Sequence, residues 1–241
     1  MKLKTDTIAA LDTLIQTAML AGVDKLIING GKIQGIDERK TVGLVTDKNV
    51  PDLDGKTIAI NRIKQLLSRL NLAKAQGDVT IEATIAANGT DISVLELQAG
   101  KSKGQFRCAS LEAVKGVPKG FSDPMVWEVR LTAKIIPLIA QAEASMTADG
   151  ITLASKDGKV VTCELSDSNK DLMVFELDDT ASWIGTSPAG VGFCNKYPSK
   201  ALLALLREAS KVQDPVVVTI GQGGLLIINV NGFDFFTLPQ A

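Results

Sequence analysis

The sequence predicts an α+β protein built twice over, two similar domains that each lay helices on one face of antiparallel sheet. Three observations carry this. Four stretches place apolar residues at helical spacing and leave a distinct outer face. The runs between them read as short strands separated by Gly- and Asn-bearing turns. The whole order then recurs along the chain. Ile8, Leu11 and Met19 return as Ile135, Leu138 and Met146, and Leu26, Gly31 and Lys32 as Leu153, Gly158 and Lys159, each 127 positions on. Phe106 and Leu111 return as Phe233 and Leu238 at the same shift of 127. Lys64, Leu66, Leu67 and Leu70 match Lys200, Leu202, Leu203 and Leu206 at a shift of 136, and the longer Trp183–Lys196 loop absorbs the difference. The chain therefore divides into residues 1–111, a linker 112–126 bearing Gly, Pro and Lys (EAVKGVPKGFSDPMV), and residues 127–241.

Thr5–Leu20 reads as the first helix, with Ile8, Leu11, Leu14, Ile15, Ala18 and Met19 on the core side and small neutral residues (Ala9, Ala10, Thr13, Gln16, Thr17) opposite. Asp24–Asn29, the Gly30-Gly31 turn and Lys32–Asp37 form a hairpin, Thr41–Thr46 continues the sheet, and Val50–Gly55 is a loop. Asn61–Ala75 is the second helix. Its core face is Ile63, Leu66, Leu67 and Leu70; its outer face (Asn61, Lys64, Gln65, Ser68, Arg69, Asn71, flanked by Arg62 and Lys74) holds no acid. Val79–Ala86, Asp91–Gln98 and Gln105–Leu111 follow as strands. From Leu131 the order restarts with a third helix, which Pro137 either kinks or forces to begin near Lys134. Tyr197–Val212 is the fourth helix, with Pro198 or Ser199 in its first turn. It buries Leu202, Leu203, Leu205 and Leu206 and turns Lys200, Ala204, Arg207 and Lys211 outward as one stripe. A stripe of this kind suits a phosphate backbone held without sequence readout, or is a plain solvated face.

Composition removes most chemistry. With no histidine, Ser-His-Asp and Cys-His catalysis, histidine bases and most zinc sites are out of reach, and no catalytic or metal-ligating residue and no cofactor is expected. The three cysteines, Cys108, Cys163 and Cys194, are scattered without CxxC spacing, as for reduced thiols in the cytoplasm. The N-terminal stretch lacks the form of a signal peptide, and no apolar run has the length of a membrane span, so no membrane partner is expected. With 26 basic and 27 acidic residues, any attraction to nucleic acid must come from local segregation of charge. Gly55-Lys56-Thr57 lacks the upstream glycine of a phosphate loop, and Gly185, Gly190 and Gly192 lack dinucleotide-binding spacing. The acid pairs Asp37-Glu38, Asp52/Asp54 and Asp178-Asp179 have no third ligand at metal spacing, and Asn88-Gly89-Thr90 is a turn.

Gly35–Val45, GIDERKTVGLV, resembles an early pattern of the DNA sliding-clamp family: an apolar residue, Asp, a short polar loop, then Val-x-Leu-Val. The ending FDFFTLPQA resembles that family's last strand and tail, and the repeat extends the resemblance over the whole chain. Two copies per chain is similar to the clamps of eukaryotes, archaea and tailed phages, which close as homotrimers; bacterial clamps have three copies and close as dimers. The resemblance implies a ring whose helices line a channel around duplex DNA, with sheets outside and running across subunit boundaries. An edge strand such as Gln105–Leu111 would meet the second copy's edge. The function implied is non-enzymatic: tethering DNA polymerase for processive synthesis, after opening by an ATP-driven clamp loader. The compartment is the cytoplasm (a phage host's, for a phage protein) or a eukaryotic nucleus.

On that reading Lys64, Arg69, Lys74, Lys200, Arg207 and Lys211 contact DNA without reading sequence, with Arg62 and Lys134 secondary. The family's peptide site maps onto Ile36, Val42, Leu44, the linker positions Val114 and Val117, and Leu238 with Pro239; for Leu44, hairpin core is an equal reading. Two rivals stand beside this one. The first is a monomeric or dimeric processivity subunit held on DNA by charge, against which the net charge of −1 counts. The second is a ring-forming structural protein without a DNA role, whose stripes are solvated faces.

Overall fold

The computed structural model describes residues 1–120, 122–148, 150–156, 158, 160–177, 181–183 and 192–240. Gly185, Gly190 and the Asp178-Asp179 pair lie outside these, as does most of the Trp183–Lys196 loop. The chain forms two compact units, Met1–Gly120 and Phe121–Ala241.

In the first unit, α1 (Thr5–Leu20) leads to β1 (Lys25–Asn29), β2 (Lys32–Ile36), β3 (Val42–Thr46) and β4 (Ile58–Ile60). Then come α2 (Ile63–Lys74), β5 (Thr80–Ile85), β6 (Ile92–Ala99), β7 (Ser102–Arg107) and a 3-10 turn at Leu111–Val114. The strands lie in the orders β4-β1-β2-β3 and β5-β6-β7, all neighbours antiparallel. Gly30 and Gly31 close the β1–β2 hairpin with positive φ of 42° and 91°, a geometry that glycine accepts without strain. Helices α1 and α2 pack together and against β5, β6 and β7. Leu11, Leu14, Ile15, Leu66, Leu70, Leu95 and Phe106 are buried in this unit.

The second unit repeats the plan. Its elements are β8 (Met125–Leu131), α3 (Ile135–Met146), β9 (Gly150–Ser155), β10 (Val161–Ser166), β11 (Leu172–Leu177) and β12 (Ala181–Trp183). They continue with β13 (Phe193–Pro198), α4 (Ser199–Ala209), β14 (Val216–Gly221), β15 (Leu226–Val230) and β16 (Phe233–Thr237). Strand orders are β12-β8-β14-β15-β16 and β11-β10-β9-β13, again antiparallel. In the first unit the place of β8 is taken by Met1–Leu3, which bonds to β5 through Leu3 N–H to Ile81 O and Ala83 N–H to Met1 O.

Several expectations need correction. Met19, expected in the core, is 40% exposed, while Thr7 and Thr17, the latter expected on the outer face, are buried. Each threonine satisfies its hydroxyl on a backbone carbonyl, Thr7 on Asp52 (3.2 Å) and Thr17 on Thr13 (2.8 Å), and so burial is tolerable. Pro137 fits the second of its two alternatives: α3 starts at Ile135 with Lys134 as N-cap, so the proline is in the first turn, where its missing N–H has no intrahelical partner to lose. Tyr197 belongs to β13, fully buried with its hydroxyl donating to Gly224 O at 2.8 Å, and α4 starts only at Ser199. Within the 112–126 segment, Val114 is buried in the 3-10 turn and Met125 already pairs in β8.

Candidate nucleic-acid interface

Helix α4 has the strongest sidedness of the four. Leu202, Leu203, Leu205, Leu206 and Ala209 are buried, and Lys200 and Arg207 stand exposed, with no salt-bridge partner among the described residues. Lys211 lies just past the helix end, paired with Glu208. The first turn of α4 holds no acid of its own, although Glu143 of α3 accepts a bond from Ser199 Oγ at 2.9 Å. The helix dipole adds positive potential at that same end, beside Lys200.

Helix α2 has the matching leucines buried and Lys64 exposed in its first turn, again without an acid. Its other cations are turned onto the protein. Arg62 donates to Arg107 O at 2.7 Å and Arg69 to Gln105 O, so both guanidiniums bind backbone carbonyls of β7. They also sit over the buried Phe106 ring, 5.2 and 5.6 Å from its centroid, where the ring's negative face attracts them. Lys74 is held by Asp12 of α1. Lys134, at the N-terminus of α3, is exposed. The expected phosphate-contacting set is thus split: among the described residues Lys64, Lys134, Lys200 and Arg207 are free cations, whereas Arg62, Arg69, Lys74 and Lys211 are engaged within the protein. Sequence reading missed Asp12, and its one signal was Gln16 four residues on, whose amide donates to it at 2.7 Å.

The residues expected to receive a partner peptide are also divided. Ile36, Val42, Leu44 and Val114 are buried in the first unit, and Val117 is half-buried. Leu238 is exposed and Pro239 half-buried at the end of the second unit. The segment after Val114 is fastened to β2, since Lys32 Nζ donates to Lys119 O and Gln34 Nε2 to Pro118 O. The preceding loop is stiffened by Asp37, whose carboxylate accepts from Thr41 N–H (2.7 Å) and Val42 N–H (2.9 Å).

Among the strands at sheet ends are β7 and β11. β7 is polar and exposed along most of its length, with Lys103 and Arg107 within it and Lys101 just before. β11 exposes Leu172, Met173 and Val174 beside Asp171 and Glu176. Along β7 runs a half-open groove of about 320 Å³ lined by Arg69, Leu72, Leu97, Lys103 and Gly104.

By sequence the chain matches no protein-family model and no curated protein. In three dimensions it is similar to PCNA from Thermococcus kodakaraensis, with a TM-score of 0.62 at 17% identity over 99% of both chains. It is similar to A. fulgidus PCNA bound to the C-terminal region of FEN-1, with a TM-score of 0.60 at 15% identity over 100% of this chain and 97% of that one. The Helicobacter pylori beta clamp bound to a DNA ligase peptide overlays with a TM-score of 0.66 at 15% identity, covering 100% of this chain and 66% of that one. The chain has the sliding-clamp fold. Within the clamp fold, helices α2 and α4 are the two basic ones, and α1 and α3 carry no basic residue within their spans. Among the described residues no helix is long and apolar enough to cross a membrane.

Proposed function

We propose that the chain is a non-enzymatic DNA sliding clamp that closes as a homotrimer around duplex DNA and tethers a DNA polymerase. The observation that carries this reading is the free basic face of α4, Lys200 and Arg207 over a fully buried leucine row, in a chain with the clamp fold. Contacts of lysine and arginine with phosphate carry no sequence information, so a ring held this way slides. Topology supplies the retention, and tethering raises the polymerase's effective concentration at the primer end. The match to full-length archaeal PCNA, against only two thirds of the bacterial clamp, supports the two-domain, trimeric arrangement.

Closure would pair β7 of one protomer with β11 of the next, which removes two exposed edges. Lys101, Lys103 and Arg107 on one edge complement Asp171 and Glu176 on the other, and Leu172 and Val174 supply apolar contact. Partners carrying a short apolar peptide, the polymerase and an ATP-driven loader among them, would dock on the first unit at Val117, above Ile36, Val42, Leu44 and Val114, and the candidates on the second unit are Leu238 and Pro239. The peptide complexes of the A. fulgidus and H. pylori proteins support that mode of docking.

Two measurements test the reading. Light scattering across a dilution series should give a mass near three 25.5 kDa chains. Reversal of Lys200, Arg207 and Lys211 to Glu should abolish processive synthesis and leave the trimer intact. A monomer at every concentration would favour a subunit held by charge alone. Unchanged processivity in the triple variant would remove the channel assignment.

A further inference from the structure

We propose that Asp12 withholds Lys74 from DNA and so holds the clamp's grip below what its lysine stripe would otherwise give. This rests on the DNA-clamp reading above. Asp12 Oδ2 takes both the Lys74 ammonium, from the last turn of α2, and the Gln16 amide. The Asp12 side chain is 14% exposed, and its other oxygen, Oδ1, is buried with no hydrogen-bond partner among the described residues. A carboxylate so placed depends on its single cation, because losing that partner would leave a charge largely out of water. The pair therefore holds more firmly than an exposed surface bridge, and a phosphate nearby meets a neutral couple in place of a lysine.

The position itself does not call for an acid. The buried rows of the two helices, Leu11, Leu14, Ile15 and Thr17 in α1 and Ile136, Ile139, Ala140 and Ala142 in α3, match at a spacing of 125, which sets the exposed Pro137 opposite Asp12. The second half places an uncharged residue there, and the carboxylate in the first half adds a charge pairing that the fold itself does not require. Asp12 thereby converts one of α2's cations into a structural tie between α1 and α2. A ring that must diffuse gains from fewer phosphate contacts, since each one adds to the electrostatic hold.

The test uses the full chain and a short fluorescent duplex, read by anisotropy over a salt series. Asp12→Asn keeps the side-chain volume and an acceptor for Gln16 but frees Lys74. It should tighten binding and steepen the fall of affinity with salt by about 0.9 in log–log slope for each lysine that reaches a phosphate, about 3.5-fold between roughly 50 and 200 mM salt. Lys74→Ala alone should leave the slope unchanged, and Lys74→Ala added to Asp12→Asn should return it to the starting value. Lys200→Ala is the reference for the DNA-clamp reading itself. If Lys200→Ala weakens binding while Asp12→Asn leaves the slope unchanged, or if Lys74→Ala alone weakens binding as much as Lys200→Ala does, the proposal is overturned and the clamp reading stands. If none of these variants alters DNA binding, the clamp reading falls and the proposal with it. Thermal melting of each variant separates loss of fold from loss of charge.

Discussion

Helices α2 and α4 carry the same leucine row and the same first-turn lysine, yet the two halves use their remaining cations in opposite ways. In the second half Lys200 and Arg207 are free on the helix surface. In the first, Arg62 and Arg69 are folded down over Phe106 and onto the carbonyls of β7, and Lys74 is tied to Asp12. A duplicated element has kept its packing face and divided its charged face. One copy leaves its cations exposed, and the other sets two of its four on its own edge strand and a third on α1. A stripe of lysine and arginine in sequence is therefore a measure of composition, and only the neighbours of each side chain decide whether its charge is available.

The largest effect expected from this division is on stability. Phe106→Ala removes a fully buried ring, which typically costs about 3–5 kcal/mol. Phe233, in the matching last strand β16 of the second unit, is also fully buried, and among the described residues no arginine stacks on it. Urea unfolding should find Phe106→Ala the more destabilised of the two, because it also unseats both guanidiniums. Equal losses would mean that the stacked arginines contribute nothing and that the first half differs only in appearance.

Next in size is DNA affinity. Lys200→Ala and Arg207→Ala should each make the salt dependence of duplex binding shallower by about 0.9 in log–log slope. Arg62→Ala and Arg69→Ala should leave that slope alone and lower folding stability by about 0.5–2 kcal/mol, the range of an exposed cation–π contact together with a carbonyl hydrogen bond. If the arginine variants shifted the salt slope as strongly as Lys200→Ala does, the contrast between the halves would break.

The contrast also marks where sequence reading stops. Helix spans and leucine faces were legible because burial imposes a period of 3.6, and Thr5–Leu20 emerged with those bounds. β4 was not legible: its three residues, Ile58–Ile60, are all buried and so show no alternation. The basic residues could be named from sequence, but their division could not. Whether Arg69 is free depends on β7, more than thirty positions away, and whether Lys74 is free depends on Asp12, on a different helix. Asp12 itself lay on a face that reads as small and neutral around it.

The smallest predicted effect tests the placement of Arg62 directly, through a thiol. Burial pushes the Cys108 thiol up to about 12, and the nearby Arg62 cation partly opposes that rise by favouring the thiolate. Burial also pushes Cys163 up to about 12, whereas Cys194 is exposed. A thiol that holds its proton more tightly in the fold than in the unfolded chain leaves stability unaffected below about pH 9 and erodes it as pH rises from there toward 12. In Arg62→Ala the opposing cation is gone, so the Cys108 thiolate fraction should fall at any fixed pH in that window. Iodoacetamide labelling near pH 9, mapped by peptide mass and normalised to Cys194, should then be slower at Cys108 than in the parent chain. Faster labelling would mean that the guanidinium acts there as a cover over β7 more than as a charge, and the first half's arginines would then be packing groups whose positive charge is incidental.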